Sequence, residues 1–343
     1  MHNYKILLIT HQFYPYVGGI EVNSEILAYE FEKLGCEVSI LTWTKEKGNK
    51  KHPYRIIRMP SIKQLLREHR NADIVFENNP TLRLSWPQFF LKKPHVVAVR
   101  TWIKRVDGSI SWQDKLKRKW LKRASKTIAI SQAIKADSNP EAEVIGNPYR
   151  NELFFRRKEI AKTNNFVYLG RLVSDKGVDL AIEALAALNN QVPEQISFNL
   201  TIIGDGEERI KLEKRVNELG LKKQVRFTGI LKGELLAREL NQHQYLIAPS
   251  RWDEPFGNVA LEGMACGCIP IVSSGGGLPD AVGEAGLVFD SGDIDSLVHC
   301  MKTLVEDEKM KQQLLRNTSS HLTQHLASNV AKRYYNVLLE AIK

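Results

Sequence analysis

The chain has 343 residues, too many for one ordinary hydrophobic core, so two domains are expected. With 43% hydrophobic and 26% charged residues its composition is globular, which excludes an intrinsically disordered chain. The net charge of +10 is uneven: residues 1–163 hold 30 Lys and Arg against 16 Asp and Glu, and residues 164–343 hold 19 against 23, so contact with a negatively charged surface is expected from the first half.

The first apolar run, YKILLIT, is about one strand long and runs straight into His11 and Gln12. It is too short for a signal peptide or a membrane span, and a cytoplasmic protein is expected. The turn YPYVGGIE leads into a helical spacing of Val22, Ile26, Leu27, Phe31 and Leu34 that Gly35 stops. EVSILT, ADIVFE, HVVAV and TIAIS follow as strands. Residues 92–126, which include HVVAV and run up to TIAIS, carry twelve Lys and Arg among Trp102, Trp112, Leu116, Trp120 and Leu121. Such a segment suits either an anionic bilayer or a solvated helix face with some aromatics turned inward. Asn-Pro and a polar run at 146–165 interrupt the pattern.

The second half repeats the alternation: FVYLG, a helix through Ile182, Leu185 and Leu188, then FNLTIIG, a helix ended by Gly220, and QVRFTG, YLIAPS, IPIVSS and GLVFD. None of these strands alternates apolar with polar for long, which indicates sheets covered on both faces. The expected fold is therefore α/β, with two Rossmann-like doubly wound parallel-sheet domains facing across a cleft, spanning 1–150 and 151–327. Ligands of such sheets bind at the strand C-termini.

Three motifs fall at those ends. In YLGRLVSDKG, Arg171 and Lys176 flank a loop that leads into a helix, an arrangement able to grip a diphosphate. In TIIGDGEE, Gly204 and Gly206 on either side of Asp205 let a backbone come close to a ligand, or simply make a strand-to-helix turn. In PSRWDEPFGNVALEGMACG, Pro255 and the spacing of Val259, Leu261, Met264 and Ala265 start a helix at Gly257 or Asn258. Glu254 then sits on the loop before that helix and Glu262 within it. The N–H groups of Gly257, Asn258 and Val259 are placed for a phosphate or a sugar hydroxyl, and carboxylates on both sides would accept hydrogen bonds from hydroxyls. Asp293 and Asp295, the lone Asp-x-Asp, read as a helix N-cap and first turn, so no metal site is expected.

This ordered set, with GG at 18–19 and GGLPD at 276–280, resembles the family 4 retaining glycosyltransferases of the GT-B fold. The resemblance implies transfer of a sugar from a nucleotide diphosphate donor, UDP-sugar favoured over GDP-sugar, to a hydroxyl acceptor, without a metal or other cofactor. It implies that Arg171 and Lys176 hold the diphosphate, Glu262 the ribose hydroxyls, and Glu254 with the Phe256-Gly257-Asn258 backbone the transferred sugar. Gly18 and Gly19 would form the first-domain loop towards the donor phosphate, and the turn with Ile230 and Leu231 would meet the nucleobase. The last stretch, 328–343, would be the helix that returns to the first domain. Many relatives carry a histidine where this chain has Arg100, Thr101 and Trp102, so His11, Glu77, Arg100 and Thr101 are the acceptor-side candidates. A lipid-linked glycan acceptor would suit the basic segment 92–126 and the inner face of a membrane.

Other readings are a glycoside hydrolase using Glu254 and Glu262, a nucleic-acid patch at 92–126, and a silent sugar-nucleotide binder. The hydrolase gives Arg171 and Lys176 no task. No nucleic-acid motif accompanies the patch, and a silent binder would not require Glu254, Arg171 and Lys176 together.

Overall fold

Short β-branched runs without polar alternation form strands that helices cover from both sides. The computed structural model of the chain describes residues 3–16, 18–105, 107–193 and 196–343; Val17 of the turn before the first helix lies outside them. It divides into two units, residues 1–148 with 327–343, and residues 149–326.

The first unit contains β1 (Lys5–Thr10), β2 (Glu37–Thr42), β3 (Arg55–Arg58), β4 (Ile74–Asn78), β5 (His95–Val99), β6 (Lys126–Ala129) and β7 (Glu143–Val144). They form one sheet in the order β3-β2-β1-β4-β5-β6-β7, and every pairing is parallel. The order reverses beside β1, the doubly wound pattern that leaves a ligand crevice at the strand C-termini. The helix Gly19–Lys33 buries Leu27, Ala28 and Phe31 against this sheet and ends at Gly35, whose φ of +86° only glycine adopts without strain. The helix Ala327–Ile342 belongs to the same unit. Its Val330, Ala331, Tyr334, Val337 and Leu338 repeat at helical spacing and enter the core that holds Leu27, Phe31 and Phe76.

The second unit contains β8 (Thr163–Leu169), β9 (Leu200–Ile203), β10 (Val225–Gly229), β11 (His243–Ala248), β12 (Ile269–Ser273) and β13 (Leu287–Phe289). Their order is β10-β9-β8-β11-β12-β13, again all parallel, with the reversal beside β8. The helix Val178–Gln191 buries Val178, Leu180, Ala181, Ile182, Ala184, Leu185 and Leu188 in the same core as Met301 and Leu304. Truncating one such leucine to alanine costs about 2–5 kcal/mol, so this helix firmly anchors the loop that precedes it. Among the described residues no helix is long and apolar enough to cross a membrane.

Candidate functional site

In the second unit the loops after β8 and β11 come together beside the strand reversal. The turn Ser174–Lys176 presents Lys176, whose ammonium is paired with the Glu254 carboxylate. Both side chains are largely screened, 17% and 22% exposed. Ser250 Oγ donates to the same Glu254 oxygen at 3.0 Å. A strap holds the two loops in register: the N–H groups of Arg251 and Trp252 donate to the Asp175 carbonyl at 2.9 and 3.0 Å. The Arg251 guanidinium grips Asp179 with two bonds of 2.7 Å. Burial works against the charge of Asp179, yet the hydrogen bond and charge of Arg251 hold its carboxyl below the usual range. A bidentate pair of this kind fixes orientation as well as distance.

Glycine is required where these loops touch. A Cβ on Gly177, at φ +64°, would lie 2.0 Å from the Pro249 carbonyl, and one on Gly276, at φ +65°, 2.2 Å from the Glu254 carbonyl. That Glu254 carbonyl also accepts the Gly277 N–H at 2.7 Å. Glu254 is thus held by its backbone and by its side chain. Arg171 differs. Its carbonyl accepts the Tyr168 hydroxyl at 2.9 Å, while its exposed guanidinium has no hydrogen-bond or ion-pair partner among the described residues. A fixed backbone with an open guanidinium is suited to an incoming anion.

Gly204 and Gly206 have a packing reason of their own. A Cβ would meet the carbonyl of Gly170 at 1.8 Å and that of Leu172 at 2.3 Å. The Asp205 carbonyl accepts the Leu172 N–H at 3.0 Å, and its carboxylate meets Arg209 at 3.3 Å. This loop therefore braces the Arg171 loop. Ile230 is 65% exposed beyond Gly229, and Leu231 is half-buried.

The helix Asn258–Ala265 starts at Gly257, which has φ +122° and no side chain to cap the first turn. Its first N–H groups have no carbonyl of their own helix to bond. Phe256 is buried, its ring 5.6 Å from that of His325, so only its backbone is offered to a ligand. Glu262 lies one turn further along. Burial pushes its carboxyl up to about 7, with Arg150 pulling weakly the other way. It has no hydrogen-bond partner among the described residues, so it can accept hydroxyl donors.

In the first unit, Gly18 is the N-cap of the helix Gly19–Lys33 in extended conformation, without a capping side chain. His11 is exposed and lines a recess of about 270 Å³ with Gln12, Tyr16, Trp43, Lys45 and Met59. Glu77 requires a correction, because it is fully buried and is not a surface contact. Its Oε1 accepts both His95 Nε2 and Trp120 Nε1 at 2.7 Å, and its Oε2 accepts the Thr81 N–H at 2.8 Å. Burial opposes its charge, but the His95 hydrogen bond and charge outweigh that and hold it low. A carboxylate with three donors inside the core has a structural role.

Arg100 is buried as well. Its Nε donates to Asn78 at 2.7 Å and its Nη1 to Asn147 at 2.6 Å, while Nη2 has no hydrogen-bond partner among the described residues, and burial lowers the guanidinium pKa. Thr101 is exposed and accepts Asn79 Nδ2 at 3.5 Å. In the basic segment the helix Trp112–Leu121 is split: Trp120 and Leu121 are buried, whereas Trp112 is 72% and Leu116 41% exposed.

Sequence reasoning missed the Arg251–Asp179 strap and Ser250. Arg251 and Asp179 lie 72 positions apart, and no local pattern marks them; only the place of Arg251 in one site loop and of Asp179 in the helix turn after the other could have drawn attention. Asp293 does cap the helix Ile294–Glu306, accepting the Ser296 N–H at 3.1 Å. Among the described residues no three His, Cys, Asp or Glu side chains cluster as metal ligands.

The family model described as glycosyl transferases group 1 matches residues 150–321. An uncharacterised glycosyltransferase of Methanocaldococcus jannaschii is 26% identical over 340 residues, 91% of either chain. A glycogen synthase of Mycobacterium tuberculosis is 30% identical over 232 residues, which is 64% of this chain and 55% of that one. Among solved structures, the Anabaena protein HepE in complex with UDP and glucose superposes with a TM-score of 0.78, at 20% identity, covering 98% of this chain and 100% of that chain. That likeness speaks for the two-domain GT-B fold.

Proposed function

The chain belongs to the group 1 glycosyl transferases and is a sugar-transferring enzyme, and from that premise we propose that it moves a sugar from a nucleoside diphosphate donor to an acceptor hydroxyl with retention at the anomeric carbon, without a metal. The observation that carries this reading is the Lys176–Glu254 pair, with the open Arg171 guanidinium on the same loop after β8, at the strand reversal of the second unit. In transfer, the bond from the anomeric carbon to the donor's β-phosphate oxygen breaks and charge builds on the diphosphate. Fixed cations meet that charge best when they need not reorganise. Arg171 and Lys176 take that role, with the start of the helix Asn258–Ala265 adding N–H dipoles. Glu254 accepts hydroxyls of the transferred sugar and Glu262 those of the ribose. The acceptor oxygen bonds to the anomeric carbon on the face the diphosphate leaves, and its proton passes to a donor phosphate oxygen.

The HepE structure is described with UDP and glucose, which supports a nucleotide-sugar donor here. Gly18 and Gly19 form the first-unit loop towards the donor phosphate, exposed His11 and Thr101 are the acceptor-side residues of this reading, buried Arg100 supports them through Asn78 and Asn147, and Ile230 and Leu231 border the nucleobase. The exposed Trp112 and Leu116 amid lysines support an acceptor carried on a lipid and a site of action at an anionic membrane. The test is a panel of UDP- and GDP-sugars followed by thermal shift and by release of the nucleotide, with NMR of the product's anomeric centre. Stabilisation by one donor and a product of unchanged anomeric configuration are expected. An inverted product, or cleavage of simple glycosides in place of nucleotide sugars, would overturn the reading.

A further inference from the structure

A recess of about 330 Å³ in the first unit has no part in the donor chemistry. His95 opens β5 and Ser125 immediately precedes β6, so it lies at the end of the sheet opposite the strand C-termini where such folds hold substrates. Its wall is aromatic and rigid. The Trp120 ring lies 5.4 Å from His95 and 4.8 Å from Phe89, and the hydrogen bonds to buried Glu77 fix both Trp120 and His95.

Its rim is cationic. Lys92, Lys93 and Arg123 line it, no carboxylate does, and none of the three has an ion-pair partner among the described residues. Lys92 caps the short helix Gln88–Leu91 in the left-handed conformation, φ +46°, and so turns the chain at the rim. The turn is fixed by the Lys93 N–H donating to Gln88 Oε1 at 3.1 Å. Beside the rim, Phe90 is 75% and Phe89 41% exposed, and Arg123 stacks on Phe89 at 5.0 Å. Three unpaired cations around one small recess ask for an anion; bare phenylalanines at its lip ask for an apolar phase next to that anion.

We propose that the recess binds the phosphate of an anionic phospholipid headgroup, with Phe89 and Phe90 entering the boundary between headgroups and acyl chains beside it. The inference rests on the membrane reading of residues 92–126 and is independent of the donor site.

The experiment is co-sedimentation of the full chain with phosphatidylcholine vesicles, with and without phosphatidate, alongside phosphorus NMR of inorganic phosphate. Lys93→Gln with Arg123→Gln should lower partition several hundredfold, as loss of two charge-assisted contacts implies. Lys115→Gln with Lys119→Gln removes the same charge from the exposed helix face and should cost about thirtyfold or less. Phe90→Ser, which leaves the Phe89 ring under Arg123 in place, should weaken vesicle binding and leave binding of inorganic phosphate unchanged. Equal losses in the two charge pairs would overturn the recess and leave only diffuse attraction. Saturable inorganic phosphate binding without a preference for phosphatidate vesicles would overturn the lipid assignment. Equal recovery of the unaltered protein on neutral and anionic vesicles would overturn the membrane reading itself, whatever the donor assays show.

Discussion

Replacing Glu262 by glutamine should make the ligand-free protein more stable and the nucleotide-binding protein worse. Desolvation pushes this half-buried carboxyl from an ordinary 4.5 up to about 7. Between those two pH values the native chain keeps a proton that the unfolded chain has released, so wild-type stability falls as pH rises through the window. Above it the full cost applies: two and a half units at about 1.36 kcal/mol each is roughly 3 kcal/mol as an upper bound. The glutamine carries no charge to desolvate. For a unit of this size each kcal/mol moves the melting temperature by about 2–4 °C, so the variant should melt up to roughly 6–12 °C above wild type at about pH 8.5 and level with it at about pH 5. Nucleotide binding reverses the ranking. Ribose hydroxyls donate to the wild-type carboxylate, so the ratio of wild-type to variant affinity for UDP, in which the ligand's own titration cancels, should rise with pH through 7. Scanning fluorimetry across pH, with and without UDP, reads both effects. A difference in melting temperature that is flat with pH, or a variant less stable at high pH, would refute the idea that this carboxylate awaits a ligand.

Lys176→Ala and Glu254→Ala should each cut turnover by on the order of a hundredfold or more with melting little changed, as expected when a preorganised transition-state contact is removed; steady-state release of UDP measures it. Gly204→Ala should lower both stability and donor affinity, because its Cβ would stand 1.8 Å from the Gly170 carbonyl and push the Arg171 loop aside; thermal melting and UDP titration read the two effects together. Glu77→Gln should cost about 2–3 kcal/mol through broken buried hydrogen bonds, visible in denaturant unfolding, while acceptor KM stays at the wild-type value. A KM that rises severalfold with stability intact would return Glu77 to the acceptor side.

Both sheets could be read from the sequence because their central strands are continuous apolar runs, and both helix starts that matter carry glycine or proline at the first turn. The two strands that escaped notice are at the edges: β3 is Arg-Ile-Ile-Arg with half-buried isoleucines, and β7 is two residues long. Neither is long enough to show a pattern. In the candidate site Arg171, Lys176, Glu254 and Glu262 stand out because charge at a strand end is conspicuous. The Arg251–Asp179 strap does not, since a bidentate pair across 72 positions leaves no local trace. Glu77 misled for the converse reason. Its neighbours in sequence say nothing of His95 and Trp120, which fold over it and take it out of solvent. Gly204 and Gly206 were legible as a loop, but the carbonyls that demand them belong to Gly170 and Leu172.

The claim that two cations of the β8 loop hold a departing diphosphate is tested most directly by calorimetric titration of UDP and UMP into the wild-type protein and into Arg171→Ala with Lys176→Ala. The account predicts saturable UDP binding by the wild type, a variant that folds normally and loses at least a hundredfold in UDP affinity, as expected for two contacts between charged groups, and a much smaller change for UMP. Equal UDP affinity in both proteins would contradict it.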